Sequence, residues 1–301
     1  MHSSYINQCR KAPAFFDLRE GCSELQALVM KLTQFEAQCI SNWINEVQLA
    51  HFTQIRTSNP LSNTEPRTPS SMTVIELRQL RTRLQHLHDW ILSEPSYEVI
   101  WDLCCDHGRL GLHLHQNTTD TEVHLIDCVP SLIERLETQF SSLKTGRLHF
   151  TCIPGEDLRL APQKRQVVIV AGVGGETCIE ILQGILVLNS DLGQFDILLS
   201  PNSHPFELRE FLRKNNMHLL NEQFITDRGR SHEHILVRAF AGEPYREVSV
   251  CGDAFWLAGN ADQKKYLDKN IKHYEKILGF TECPSSARGL QAYRLLLARL
   301  F

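Results

Sequence analysis

Tyr97-Glu98-Val99-Ile100-Trp101-Asp102-Leu103 runs directly into Cys104-Cys105-Asp106-His107-Gly108-Arg109-Leu110. An apolar run that ends on an acid and then a turn is the signature of a buried strand feeding a helix. The pattern recurs downstream. Glu122 to Ile126 ends on Asp127, and Val167 to Val170 ends on Ala171-Gly172-Val173-Gly174-Gly175. Short apolar strands separated by helical patterns imply a mostly parallel α/β sheet. Such sheets bind ligands beyond the carboxyl ends of their strands, near the switch in strand order. An acid closing the second strand suits a ribose diol, and a Gly-x-Gly-Gly turn lets a ligand or substrate approach the backbone closely.

Working outward, strands are expected at 97–103, 122–127, 148–152, 167–171, 195–200, 218–225 and 233–240, and helices at 108–116, 130–143, 175–188 and 205–215. Only Thr226 to His232 separates the last two strands. They must therefore pair as an antiparallel hairpin, because a parallel crossover needs about a dozen residues or more. Five parallel strands followed by such a hairpin mark the methyltransferase variant of the Rossmann sheet.

Upstream, residues 1–71 read as a helical extension and linker. Ser23 and Gln26 form a capping box for a long helix through Arg56, and Thr57 to Ser71 holds three prolines among small polar residues. A second box, Thr73 with Glu76, is expected to open a helix with the stripe Leu77, Leu80, Leu84, Leu87 and Ile91. The α/β domain then occupies 72–241 and a C-terminal helical segment 242–301. In that segment Asp262 to Leu278 carries two opposed stripes, Leu267, Ile271, Tyr274 and Leu278 against Lys265, Lys269, Lys272 and Lys276. Pro284 starts a last helix with Leu290, Tyr293, Leu297 and Leu300.

The 301 residues are 42% hydrophobic and 22% charged, with a net charge of −4, an ordinary globular balance that excludes a chain coated in basic residues. There is no apolar run long enough to span a membrane and no secretory leader at Met1 to Arg10, so a cytoplasmic protein is expected. The ten cysteines show no Cys-x-x-Cys spacing, which favours free thiols over a metal site.

S-adenosylmethionine presents a charged amino-acid end, a ribose diol and an adenine. Asp102 and Asp106 suit the first, Asp127 the second, and Glu156-Asp157 the adenine amine. Cys104, His107, Gly108, Cys128, Ala171, Gly172, Gly174 and Gly175 complete the expected pocket. Each acid alone also suits a helix cap or solvated turn; their order on successive strand ends favours the ligand. His107 also reads as a capping or packing residue, and Cys104 and Cys105 as buried thiols. Pro201-Asn202, just past a strand, reads either as a plain turn or as the place where substrate is handled. The lysine stripe reads either as a solvated face or as a contact for phosphates.

These residues resemble the bacterial tRNA (adenine 22-N1)-methyltransferases. That family's Asp-x-Gly-Ser-Asp-His is matched by Asp102-Leu103-Cys104-Cys105-Asp106-His107, and its Ala-Gly-Met-Gly-Gly by Ala171-Gly172-Val173-Gly174-Gly175. Its Gln-Pro-Asn and Leu-Arg elements are matched by Ser200-Pro201-Asn202 and Leu208-Arg209. Its late hairpin resembles Asp227 to Glu233, and its opening Leu-x-x-Arg-Leu resembles Leu80 to Leu84. The likeness covers roughly 72–280. Cys104 stands where the family has glycine, Arg109 where it usually has an aromatic, Ser200 where it has Gln, and His232 where it has Tyr.

The resemblance implies a methyl transfer from S-adenosylmethionine to N1 of an adenine in tRNA. That nitrogen carries no proton, so attack needs orientation rather than a strong base. Pro201 and Asn202 would grip the base, and Arg228 and Arg230 with the four lysines would hold phosphates. A non-RNA acceptor, or a degenerate member acting as an interaction protein, are the competing readings. The unmatched apolar stripe of residues 1–56 is expected to dock on the domain or on a second copy of the chain, as a homodimer through the N- or C-terminal helices.

Overall fold

The computed structural model describes residues 77–143, 146–242 and 246–301. The described residues belong to one compact unit, Thr73–Phe301. The helix expected at 23–56, the linker 57–71 and the Thr73 capping box lie outside the described residues.

Strands β1 (Val99–Leu103), β2 (Glu122–Asp127), β3 (Leu148–Cys152), β4 (Gln166–Ala171), β5 (Phe195–Ser200), β6 (His218–Asp227) and β7 (Arg230–Ala239) form one sheet in the order β3-β2-β1-β4-β5-β7-β6. The first five strands run parallel, and β7 inserts antiparallel between β5 and β6. Every residue of β1 and β5 is buried, as expected of strands covered on both faces. The β6–β7 connection is tighter than the expected loop. Arg228 and Gly229 alone make the turn, with φ of 50° and 74°, the pattern of a type I′ hairpin. That lets both strands extend to ten residues.

One face of the sheet is covered by α1 (Thr82–Ser93), α2 (Arg109–Asn117) and α3 (Pro130–Gln139), through Leu87, Ile91, Leu112 and Leu136. The other is covered by α4 (Gly175–Leu188) and α5 (Pro205–Lys214), through Ile181, Ile185, Leu208 and Leu212. Helix α1 corrects the sequence reading, which begins it near Thr73. Residues 77–81 are not helical, and Arg81 is an extended N-cap. Leu80 is still buried and Leu77 partly buried, but from a non-helical segment. Helical spacing alone does not distinguish the two geometries. Helix α3 stops at Gln139, short of the expected 143, and a brief 3₁₀ turn, Ser141–Leu143, follows.

Helices α6 (Ala261–Leu278) and α7 (Pro284–Leu300) form an antiparallel pair with their own apolar cluster, in which Phe206 of α5 meets Leu267, Tyr274 and Tyr293. A buried ion network fastens this pair to the sheet. Arg209 of α5, fully buried, donates through Nε to Glu233 Oε2 (2.6 Å) and through Nη1 to Glu222 Oε2 (2.7 Å) and the Ser249 carbonyl (3.0 Å). The second oxygen of Glu233 accepts from Tyr266 of α6 (2.7 Å). The second oxygen of Glu222 accepts from the backbone of Asp253 (2.6 Å) and Ala254 (2.8 Å). Two buried carboxylates are tolerated because each has both a cation and neutral donors.

Burial alone would raise the Glu222 pKa, but Arg209 and the two backbone donors outweigh it and hold the carboxyl below its usual value. A carboxyl with a depressed folded pKa contributes stability that is full above the unfolded value and is lost as pH falls through the folded one. Glu222→Gln should therefore lower the melting temperature at pH 7, and the gap from the parent should close as pH falls below the ordinary glutamate value of about 4.3. Thermal melts between pH 7 and 3 measure this, and a gap that is constant with pH contradicts it.

Candidate cofactor and acceptor site

The turn from β1 into α2 takes left-handed backbone at Cys104 (φ 52°), Asp106 (φ 52°) and Gly108 (φ 64°). Gly108 is required by space as well as conformation, since a Cβ there would lie 2.4 Å from Leu125 Cδ2. Cys104 and Asp106 hold the same conformation with side chains, a local strain of the kind concentrated at functional sites. Cys104 directs its sulfur into the apolar cluster beneath the turn, where burial first and then neighbouring acids push the thiol up to about 12. It is an unreactive packing thiol, as is buried Cys105. Asp106 and His107 are exposed and paired at 2.7 Å.

Asp127, at the end of β2, accepts from the backbone N–H of Asp106 through Oδ2 (3.0 Å) and of Val129 through Oδ1 (3.1 Å). One acceptor site per oxygen is left. Asp102 lies on β1. It is buried, and Oδ2 accepts from the Gly111 N–H of α2 at 2.9 Å. Burial, helped by the charge of Asp127 and opposed by the Gly111 bond, pushes this carboxyl up to about 7. Its partner is the start of α2. Glu156 and Asp157 are exposed on a 3₁₀ turn, Gly155–Asp157, seated against α4 at Gly184, where a Cβ would lie 2.3 Å from the Glu156 carbonyl. Cys128, next to Asp127, is exposed.

The loops after β4 and β5 are laced together. Gly172 N–H donates to the Ser200 carbonyl (3.2 Å), Asn202 N–H to that of Val173 (2.8 Å), and Gly175 N–H to that of Ser203 (2.8 Å). The Asn202 side chain donates to the Gly172 carbonyl. The glycines of this turn owe their lack of a side chain to the protein's own chain. A Cβ on Gly175 would lie 2.3 Å from the His204 carbonyl, one on Gly174 3.0 Å from Ser203 Oγ, and one on Gly172 3.3 Å from Arg83. Ala171 and Gly172 are half-buried beside them, Pro201 is buried and Asn202 is exposed.

Arg83 is the residue that sequence reasoning missed here. From α1 its Nη1 reaches Asn202 Oδ1 at 3.4 Å, and burial lowers its pKa while Asp227 counters that effect. His232 adjoins it on β7. Burial first, then the charges of Arg83, Lys269 and Arg230 against that of Asp227, lower its pKa to about 4. His234 is fully buried without a hydrogen-bond partner on either ring nitrogen, and burial lowers it to about 2. Lys269 is thus close enough to His232 to act on its charge. Arg228 and Arg230 are exposed at the hairpin tip, and Lys265, Lys269, Lys272 and Lys276 are all exposed on α6 while Leu267, Ile271 and Tyr274 are buried. His273 of α6, flanked by Lys269 and Lys276, lies 5.3 Å ring to ring from His204 of the β5–α5 loop.

Residues 80–235, just over half of the chain, match the family model for the methyltransferase domain. The chain belongs to that family. Among curated proteins it is 24% identical over 164 residues to the tRNA (adenine(22)-N(1))-methyltransferase of Bacillus subtilis (strain 168), covering 54% of this chain and 66% of that protein. It is 26% identical over 161 residues to a putative tRNA methyltransferase of Mycoplasma pneumoniae, covering 50% of this chain and 67% of that one. The match therefore spans about two thirds of these relatives' length. Among solved structures, M. capricolum TrmK in complex with S-adenosyl-homocysteine is similar in fold, with a TM-score of 0.58 at 17% identity, covering 74% of this chain and 100% of that one. The B. subtilis m1A22 tRNA methyltransferase TrmK gives 0.53 at 20% identity, covering 74% and 97%. Among the described residues no helix is long and apolar enough to cross a membrane.

The raised carboxyl of Asp102 carries a pH signature. An acid whose folded pKa exceeds its unfolded value costs stability as pH rises between the two. Asp102→Asn keeps an oxygen for the Gly111 N–H and removes the titration. The variant's melting temperature relative to the parent's should rise from pH 5 to pH 8, where it lies above the parent's. Calorimetric scans at the two pH values check this, and a lower melting temperature at pH 8 contradicts it.

Proposed function

We propose that this chain is an S-adenosylmethionine-dependent methyltransferase that modifies N1 of an adenine in tRNA. The observation that carries the reading is the convergence of two features on one sheet edge. Asp127 offers its remaining acceptors to a diol at the end of β2, and a basic face from α6 and the hairpin tip borders the Asn202 loop. The names of the relatives point the same way.

The residues fit the cofactor. Asp106 is an exposed carboxylate for its ammonium, and Glu156 and Asp157 are exposed acceptors for its adenine amine. Gly108, Cys128, Ala171 and Gly172 would line the space between, and His107 would flank it. Asp102 would act at one remove, by fixing the start of α2. When bound, the cofactor supplies a sulfonium methyl group. The chain's own residues orient the acceptor. Asn202 Oδ1 is an acceptor for the exocyclic amine of a flipped adenine, with Pro201 stiffening the loop. His232 and His234 are neutral at pH 7. They therefore add no positive charge beside a purine that becomes cationic on methylation. Arg83, Arg228, Arg230 and the lysines of α6 offer partners for phosphates along the same side. We place the protein in the cytoplasm with its tRNA substrate; self-association through its helical segments is part of the same reading.

Ser200 and His232 favour a second reading, a non-RNA acceptor, because both depart from the resembled family on the acceptor side. Transfer of labelled methyl from S-adenosylmethionine to bulk tRNA decides between them. The expected product after nucleoside digestion is 1-methyladenine. Cofactor binding without label in tRNA would favour the second reading, and no calorimetric binding at millimolar cofactor would sink both. Changing Lys265, Lys269, Lys272 and Lys276 together to Gln should weaken tRNA binding and flatten its salt dependence by just under about one log–log unit per lost contact. Cofactor affinity should be unchanged. An unaltered salt slope would make the stripe a solvated face.

A further inference from the structure

At the opposite end of β2 from Asp127, β2 and β3 bring metal-ligating side chains onto one face. The parallel register pairs Trp101 with His124 and His124 with His149. Their rings stack as a column, with centroids 4.1 Å and 4.4 Å apart and planes inclined by 25° and 19°. Strand alternation puts Glu122 on the same face as His124. Glu122 Oε2 lies 3.8 Å from His124 Nε2, while its Oε1 is held by Lys164 Nζ at 2.8 Å. One ligand atom from each of Glu122, His124 and His149 lies within 4.8 Å of the other two, and all three residues are half-buried.

We propose that Glu122, His124 and His149 bind a first-row divalent cation of the zinc class. Two imidazoles with one carboxylate form a recognised zinc donor set, and three protein ligands leave a position open to solvent. Ligand bonds of about 2.0–2.2 Å bring the donor atoms nearer one another than they now stand. Closing these distances requires rotation of the two imidazoles about their side-chain torsions out of the stacked column. Trp101, 8% exposed, walls the site on its inner side. β3 is the edge strand, so a bound cation would clip it to β2. The donors sit three to five residues from Asp127, about 10–17 Å along the strand, so this site is separate from the proposed cofactor site. The ammonium of Lys164 opposes a cation here, because it holds a like charge against the same carboxylate.

The test is titration of the full chain with Co²⁺ and then Zn²⁺, followed by calorimetry, visible absorption and thermal melting. Exposed thiols such as Cys128 and Cys152 compete for these ions, so the measure is the difference from His124→Gln/His149→Gln. The parent should bind one more equivalent than the double variant, without an added thiolate-to-metal charge-transfer band, and Zn²⁺ should raise its melting temperature more. Glu122→Gln, at a half-exposed position, should weaken this site by at least the roughly 10–100-fold that outer-shell losses cost. Lys164→Met should tighten it. Equal uptake by parent and double variant overturns the proposal. If the double variant does not fold, the two single variants decide, and Lys164→Met binding no tighter than the parent overturns it. None of these readouts involves methyl transfer, so the proposal and the function proposed above fail independently.

Discussion

A guanidinium sealed from water between two carboxylates sets the geometry of the half of this molecule proposed to hold the acceptor. Arg209 ties α5 to β6 and β7, and through Glu233 and Tyr266 to α6. Removing one partner of such a set leaves an uncompensated buried charge, which costs about 3–5 kcal/mol. Everything on the acceptor side hangs from these elements. Helix α5 begins just after the Asn202–His204 loop, which closes on Gly174 and Gly175. Helix α6 carries the lysines, and β7 carries His232 and His234.

The cofactor half is built differently. Its groups come from strand ends whose positions follow from the parallel register, and its precision comes from close backbone approach. Gly108 and Gly111 let α2 settle against Leu125, and Gly184 lets the Gly155–Asp157 turn settle on α4. Asp102 and Asp127 spend much of their hydrogen-bonding capacity on backbone donors, which fixes the turns that any ligand would meet.

The strands were legible because residues buried on both faces must be apolar throughout, and their ends are marked by acids and glycines. The two stripes of α6 were legible for the same kind of reason, since one helix face packs and the other does not. The start of α1 was misread because Leu77 and Leu80 pack inward from non-helical chain at a spacing that also suits a helix. Arg209 showed only as part of a Leu-Arg pair, since its partners lie on other strands. Arg83 was not singled out, because nothing local says that α1 delivers it to Asn202. His124 and His149 are far apart in sequence and meet only through strand register, which is why cysteine spacing alone argued against any metal site.

The proposed cofactor half is independent of Arg209 and the proposed acceptor half depends on it, and Arg209→Lys tests that division most directly. Lysine keeps the charge but lacks the fork that reaches Glu222, Glu233 and Ser249 at once. In this variant, calorimetric affinity for S-adenosyl-homocysteine should match the parent. Methyl transfer to tRNA should fall by about tenfold or more, as expected when orienting groups shift by a fraction of an ångström to an ångström. A variant that loses cofactor affinity in parallel with transfer, or that methylates tRNA like the parent, would contradict the account.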